Sequence, residues 1–143
     1  MRPFALSLLL ALVAACGAEQ GPRAVIETKG DEVTVHVEVA DSQAERERGL
    51  MERRELADDA GMVFVFPTDS TSPFWMKDTL IPLSIAFYDE SGTIVRILDM
   101  EPCTRDPCAL YDPEASYRGA LEVNRGAFER WGVREGSVLR LER

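Results

Sequence analysis

Histidine is almost missing from this chain: of 143 residues, only His36 carries an imidazole. A Ser–His–Asp triad would have to be built on that one side chain, and no Gly-x-Ser-x-Gly elbow supplies its nucleophile. Histidine-based zinc chemistry lacks ligands for the same reason. Bases are also scarce, 16 against 25 acids, so the basic footprint of a nucleic-acid binder is absent and a phosphate backbone would be repelled. No phosphate-cradling glycine loop occurs, and nothing in the pattern implies a resident metal or cofactor. No apolar run reaches the roughly 20 residues needed to cross a bilayer.

Cysteine is limited to three positions, 16, 103 and 108. Cys16 closes the opening segment, in which Arg2 precedes the apolar run Ala5–Ala15 and the sequence Val13-Ala14-Ala15-Cys16 follows. This is a secretory signal in three parts, and its end matches the lipobox of bacterial lipoproteins. An ordinary signal cut after small residues is the alternative. The expected organisation is a signal peptide at 1–15, a lipidated N-terminus and spacer at 16–22, and one domain at 23–143. The chain would be a cell-envelope protein anchored by lipid on Cys16 and facing the periplasm. Gly17, rather than aspartate, after the cysteine favours the outer membrane. Cleavage removes one arginine and no acid, leaving a net charge of −10, so adhesion to anionic headgroups is disfavoured and the lipid must do the tethering.

In an oxidising envelope, Cys103 and Cys108 form an even, local pair that reads as a disulfide, contributing about 2 kcal/mol by loop entropy. A redox pair would more often show the C-x-x-C spacing. A metal site would need further ligands.

Ala24–Thr28 and Val33–Val39 read as a hairpin about Lys29-Gly30-Asp31, with the valines of the second strand on one face. His36 then lies on the polar face with Thr34 and Glu38. Ser42-Gln43-Ala44-Glu45 is a capping box opening a helix that stops at Gly49. Met62–Phe66 is a short apolar strand ending at Pro67, with a loop at 68–73. Further strands are expected at Phe74–Lys77, Leu83–Tyr88, Thr93–Leu98, Tyr117–Val123 and Ser137–Leu141, and a short helix at Gly126–Trp131. Together these predict a mostly β fold: one antiparallel barrel-like or curled sheet of about seven strands with two or three short helices.

Two stretches are dense in distinctive residues: Glu45-Arg46-x-x-Gly49-Leu50-Met51-x-Arg53, and Gly61-Met62-x-Phe64-x-Phe66 leading to Phe74-Trp75-Met76-Lys77-Asp78-Thr79-x-Ile81-Pro82-Leu83. With the cysteine pair, Leu121-Glu122 and Gly126, they resemble the DUF192 family over roughly Glu32 to Leu141. Asp78 stands where that pattern has asparagine, and Ser84 where it has aspartate. The resemblance implies a small, largely β fold and supplies no activity.

Trp75, Lys77, Asp78 and Thr79 place a rigid aromatic, a cation, an acid and a hydroxyl within five residues. They are candidate ligand-binding groups, with Arg53 and Glu122 close by and Arg46 and Asn124 able to converge from neighbouring elements. The competing reading makes them scaffold: Phe74 and Met76 buried, Trp75 and Lys77 on the opposite face, and Arg53 in an internal ion pair with Glu122. The expected role is a binding or accessory protein of the envelope, with a small molecule, a glycan or an envelope protein as partner. Carboxylate chemistry by Asp78 with Glu122 on an envelope glycan is the enzymatic alternative. A Cys16→Ser substitution is expected to abolish metabolic labelling by a fatty-acid probe; an unlabelled wild-type protein would overturn the lipoprotein reading.

Overall fold

The computed structural model describes residues 21–143. The signal segment, Cys16 and most of the spacer lie outside the described residues.

Strands β1 (Arg23–Glu27) and β2 (Glu32–Ala40) form the expected hairpin. Val35 and Val37 are buried while Thr34, His36 and Glu38 face solvent, because a strand alternates its side chains between faces. Helix α1 (Gln43–Arg48) opens on Ser42 with both halves of the capping box formed. The chain then enters β3 (Ala60–Ser70), which lies parallel to β2. A parallel neighbour cannot be reached by a tight turn; the connection carrying α1 makes the crossover. The other pairings described in this sheet are antiparallel, so the expected antiparallel sheet has one parallel step.

β3 also runs past Pro67, where a loop is expected from the sequence. Its register against β8 (Tyr117–Asn124) shifts between Val65 and Ser70, so the proline, which lacks an N–H, falls where the ladder is already interrupted. The remaining strands are β4 (Phe74–Trp75), β5 (Leu83–Tyr88), β6 (Ile94–Met100), β7 (Leu110–Tyr111) and β9 (Val138–Glu142); α2 (Ala127–Arg130) lies before β9. The short β7, which has no counterpart in the sequence reading, pairs with β4 as a separate two-stranded ribbon.

The main sheet has seven strands in the order β6-β5-β8-β3-β2-β1-β9. It curls until its edges touch: Ile94 N–H donates to Ser137 O at 2.8 Å and Leu139 N–H to Gly92 O at 2.8 Å. One core lies within the curl, drawn from all seven strands and plugged by Ala127 and Phe128 of α2. A second core lies on the other face of β3, β5 and β8, where Met62, Phe64, Ile85, Phe87 and Ala120 meet Leu50 and Met76. Covered on both sides, β5 is buried at every position, Ser84 included. Ser84 keeps its hydroxyl satisfied by donating to Asp99 at 2.5 Å and accepting from Gly126 N–H at 2.9 Å.

The Cys103–Cys108 disulfide is formed, with Cα atoms 5.8 Å apart. Cys103 bridges to both Lys77 and Thr79, so the cysteine loop is stitched to the segment that follows β4.

Gly119 is required by close approach: a Cβ there would stand 2.2 Å from the Tyr88 hydroxyl and 2.8 Å from the Phe64 carbonyl oxygen. Gly119→Ala is expected to cost about 1–3 kcal/mol in denaturant unfolding. Gly21→Ala, with nothing within 4 Å, serves as the silent control.

Candidate functional site

A cavity of about 450 Å³ opens between the end of α1, the Ser72–Trp75 segment and the outer face of β3 and β8. The local sequence explains its shape. Gly49 ends α1 with φ of +47°, and a side chain there would meet the Phe64 ring at 3.2 Å. Glycine lets the turn settle onto Phe64, which brings Leu50 into the second core and Met51 to the cavity wall.

Aromatic rings make most of the wall. Phe74 meets Phe64 edge-on at 5.2 Å, and Phe66 meets Tyr117 at 5.4 Å. The Tyr117 hydroxyl donates to Ser72 O at 2.7 Å, fixing the loop that carries the mouth; burial pushes its phenol above the ordinary value. Arg46 crosses the rim with its guanidinium 5.2 Å from the Phe66 ring centre. Its Nη1 donates to the carbonyls of Asp41 at 2.5 Å and Val65 at 2.9 Å.

The floor carries Glu122. On β8 it stands between Met62 of β3 and Ile85 of β5, and it is 4% exposed. Among the described residues no donor and no cation contacts its carboxyl. Loss of hydration pushes that carboxyl up to about 8, so at neutral pH the group is mostly protonated and can donate as well as accept.

Four residues singled out from the sequence line this cavity: Trp75 at the mouth, 48% exposed, Thr79, Glu122 and, at the rim, Arg46. The Thr79 hydroxyl donates to the Lys77 carbonyl at 3.2 Å. Lys77, Asp78, Arg53 and Asn124 lie elsewhere. Lys77 places its ammonium 3.2 Å from the Asp106 carboxylate and 5.5 Å from the Trp75 ring centre, outside the lining. Asp78 is a turn residue with φ of +52° whose carbonyl accepts from Glu52 N–H at 2.8 Å. Aspartate and asparagine both tolerate that left-handed backbone, which accounts for the exchange at this position. Arg53 grips Glu38, not Glu122, through two hydrogen bonds of 2.6 and 2.7 Å, and the bond from Arg53 holds the Glu38 carboxyl below its usual value. Asn124 ties down the β3 approach by donating to the carbonyls of Leu56 and Ala57. Phe64, Phe66, Phe74 and Tyr117 read from the sequence only as strand positions; the crowding of the three phenylalanines in the second motif was the available signal, and Tyr117 lies outside both motifs.

The family model DUF192, described as an uncharacterized ACR, matches residues 24–141. The chain belongs to the DUF192 family. No curated protein matches it. Among solved structures, it is similar to a Sinorhizobium meliloti 1021 protein named provisionally as a transcription regulator. The two are 35% identical with a TM-score of 0.78, covering 83% of this chain and 92% of the other. A protein of unknown function from Novosphingobium aromaticivorans is 27% identical with a TM-score of 0.77, covering 82% and 83%. For the DUF192 fold in this chain, Glu122 carries a specific thermodynamic signature. Folding raises its carboxyl from 4.5 to about 8, so the folded protein holds a proton that the unfolded chain releases. Its contribution is fully present below pH 4.5 and is lost as pH rises towards 8, with a slope of at most about 1.4 kcal/mol per pH unit. Glu122→Gln is expected to remove this slope and to melt higher than wild type at pH 8. Parallel melting curves for the two proteins between pH 5 and pH 8 would contradict it.

Proposed function

We propose that this DUF192 protein is a small-molecule-binding accessory protein of the cell envelope, tethered by lipid on Cys16, with the cavity over Glu122 as its binding site. The observation that carries the reading is the uncompensated acid beneath an aromatic wall. A carboxyl largely withdrawn from water, with no cation beside it, costs stability, and apolar residues of similar volume would fill the same place more favourably. Such a group at the bottom of an open cavity suits a ligand that supplies the missing partner. The volume, about 450 Å³, falls in the range of small-molecule sites, roughly 300–1,000 Å³. The lipobox supports the envelope location, and the Cys103–Cys108 disulfide accords with an oxidising compartment.

Hydrolysis of an envelope glycan has one observation in its favour, since an acid held protonated near neutrality resembles a general acid. The two-carboxylate mechanism needs a second acid across the substrate. Asp78 does not line the cavity, and Glu47, the other acid that does, sits at the rim accepting from Gln43 at 2.8 Å. Binding is the better-supported reading. The acidic balance, with a net charge of −9, speaks against extending the name of the S. meliloti relative to DNA contact by this chain.

Native mass spectrometry of the protein extracted from its own envelope is the direct test. Wild type is expected to carry a bound small molecule that Glu122→Leu loses, and re-addition of that molecule at a hundredfold excess over Kd should stabilise wild type by about 2.7 kcal/mol. An empty wild-type protein, together with a Glu122→Leu variant that retains its cellular phenotype, would make the cavity a piece of scaffold.

A further inference from the structure

The cations of this acidic chain are not distributed evenly between partners. Away from the cavity most described arginines are ion-paired: Arg53 with Glu38, Arg118 with Asp69 and Glu90, Arg125 with Asp99 and Glu101, Arg140 with Glu27 and Glu32. The two arginines that line the cavity, Arg46 and Arg48, have no carboxylate oxygen within 4.0 Å among the described residues. Among the described residues Arg54, Arg105, Arg130 and Arg134 form no ion pair either, so what singles out Arg46 and Arg48 is that they lie together on the cavity wall.

Arg46 is held for use rather than left mobile. The Asp41 and Val65 carbonyls take up both N–H groups of Nη1, and the Phe66 ring supports the guanidinium plane. The Nε–Nη2 edge donates to no protein acceptor among the described residues. That edge is the planar fork that grips a carboxylate or phosphate through two parallel hydrogen bonds. Phe64, Phe66 and Phe74 line the same cavity as Arg46 and Glu122 and offer stacking and edge contacts to an apolar body.

We propose that the cavity is selective for an organic oxyanion on an aromatic-sized apolar body. Its carboxylate or phosphate head rests against Arg46 with Arg48 beside it, and its body lies among Phe64, Phe66 and Phe74 above Glu122. This rests on the cavity being a ligand site. A cationic ligand would meet Arg46 and Arg48 at the rim against the single acid Glu47, which is engaged by Gln43. A neutral one would leave the Arg46 fork unused.

The test uses four naphthalene compounds that share a body and differ in head: 1-naphthoate, 1-naphthyl phosphate, 1-naphthol and 1-naphthylmethylammonium, titrated against the full protein with Trp75 fluorescence and calorimetry as readouts. At least one anion is expected to bind about tenfold or more tightly than 1-naphthol, a difference of about 1.4 kcal/mol, and to weaken with added salt. Which anion wins distinguishes a carboxylate from a phosphate ligand. Arg46→Gln should bring the anion-to-naphthol ratio close to one while leaving 1-naphthol affinity unchanged. Arg48→Gln, which breaks no internal hydrogen bond, should lower the ratio in the same direction and covers the case in which the first variant fails to fold. Equal affinities for anion and naphthol, or preference for the ammonium compound, would overturn the oxyanion assignment and leave the cavity a binding site. Binding by none of the four would overturn the cavity reading itself.

Discussion

The central strands β3, β8 and β5 have to be covered on both faces, and most of the molecule is arranged to meet that demand. On one side the sheet covers itself by curling until β6 and β9 meet through backbone hydrogen bonds, leaving Val63, Ala86, Leu121 and Val123 in an enclosed core. On the other side no further sheet is available. The Gly49–Met51 turn, the β4–β7 ribbon and the cysteine loop form the cover, and these are elements too short to stand alone. Each is therefore fastened from below: Leu50 and Met76 by burial, at 2% and 1% exposure, the 77–79 segment by its bridges to Cys103, and the Ser72 loop by the Tyr117 hydroxyl.

A cover assembled from short pieces does not close as tightly as a sheet, and the cavity lies where its pieces meet. Its aromatic lining also serves the packing. Phe74 is in edge contact with Phe64 and Phe87 at 5.2 and 5.4 Å, pairs worth about 0.5–1.5 kcal/mol each beyond the area they bury. The wall is thus rigid without a ligand, which lowers the ordering cost of binding one.

Alternation made β2 readable from the sequence, because one face of that strand is wet and every second residue is valine. The same logic underdescribes β5, where Ser84 suggests a polar face but is buried and bonded to Asp99 and Gly126. β7 leaves no sequence signal: it is Leu110-Tyr111 alone, and Leu110 is 66% exposed. The site was half legible for a related reason. Nearness along the chain groups Trp75, Lys77, Asp78 and Thr79, but the left-handed residue Asp78 turns the backbone within that run. Trp75 and Thr79 reach the cavity, whereas Lys77 is directed to Asp106. Arg53 found its acid on the solvent face of β2, where Glu38 reads as an ordinary exposed charge. Glu122 was visible as an acid within an apolar strand, yet only the packing of both sheet faces shows that it is left without a counter-charge.

Why a glutamic acid occupies that floor follows from comparing what other side chains would offer. Leucine or methionine would complete the second core between Met62 and Ile85 and leave nothing to orient a ligand. Glutamine would hydrogen-bond in both directions but could never carry charge. A carboxyl held near neutrality by burial can present O–H to an acceptor, or release its proton when a donor or cation arrives and accept instead. With Arg46 and Arg48 already supplying positive charge at the rim, a neutral acid at the floor avoids repelling a negative ligand while retaining a hydrogen bond for its far end. If the cavity binds a ligand as proposed, arginines at the rim, an apolar wall and a neutral, hydrogen-bonding base would set which way round such a molecule lies.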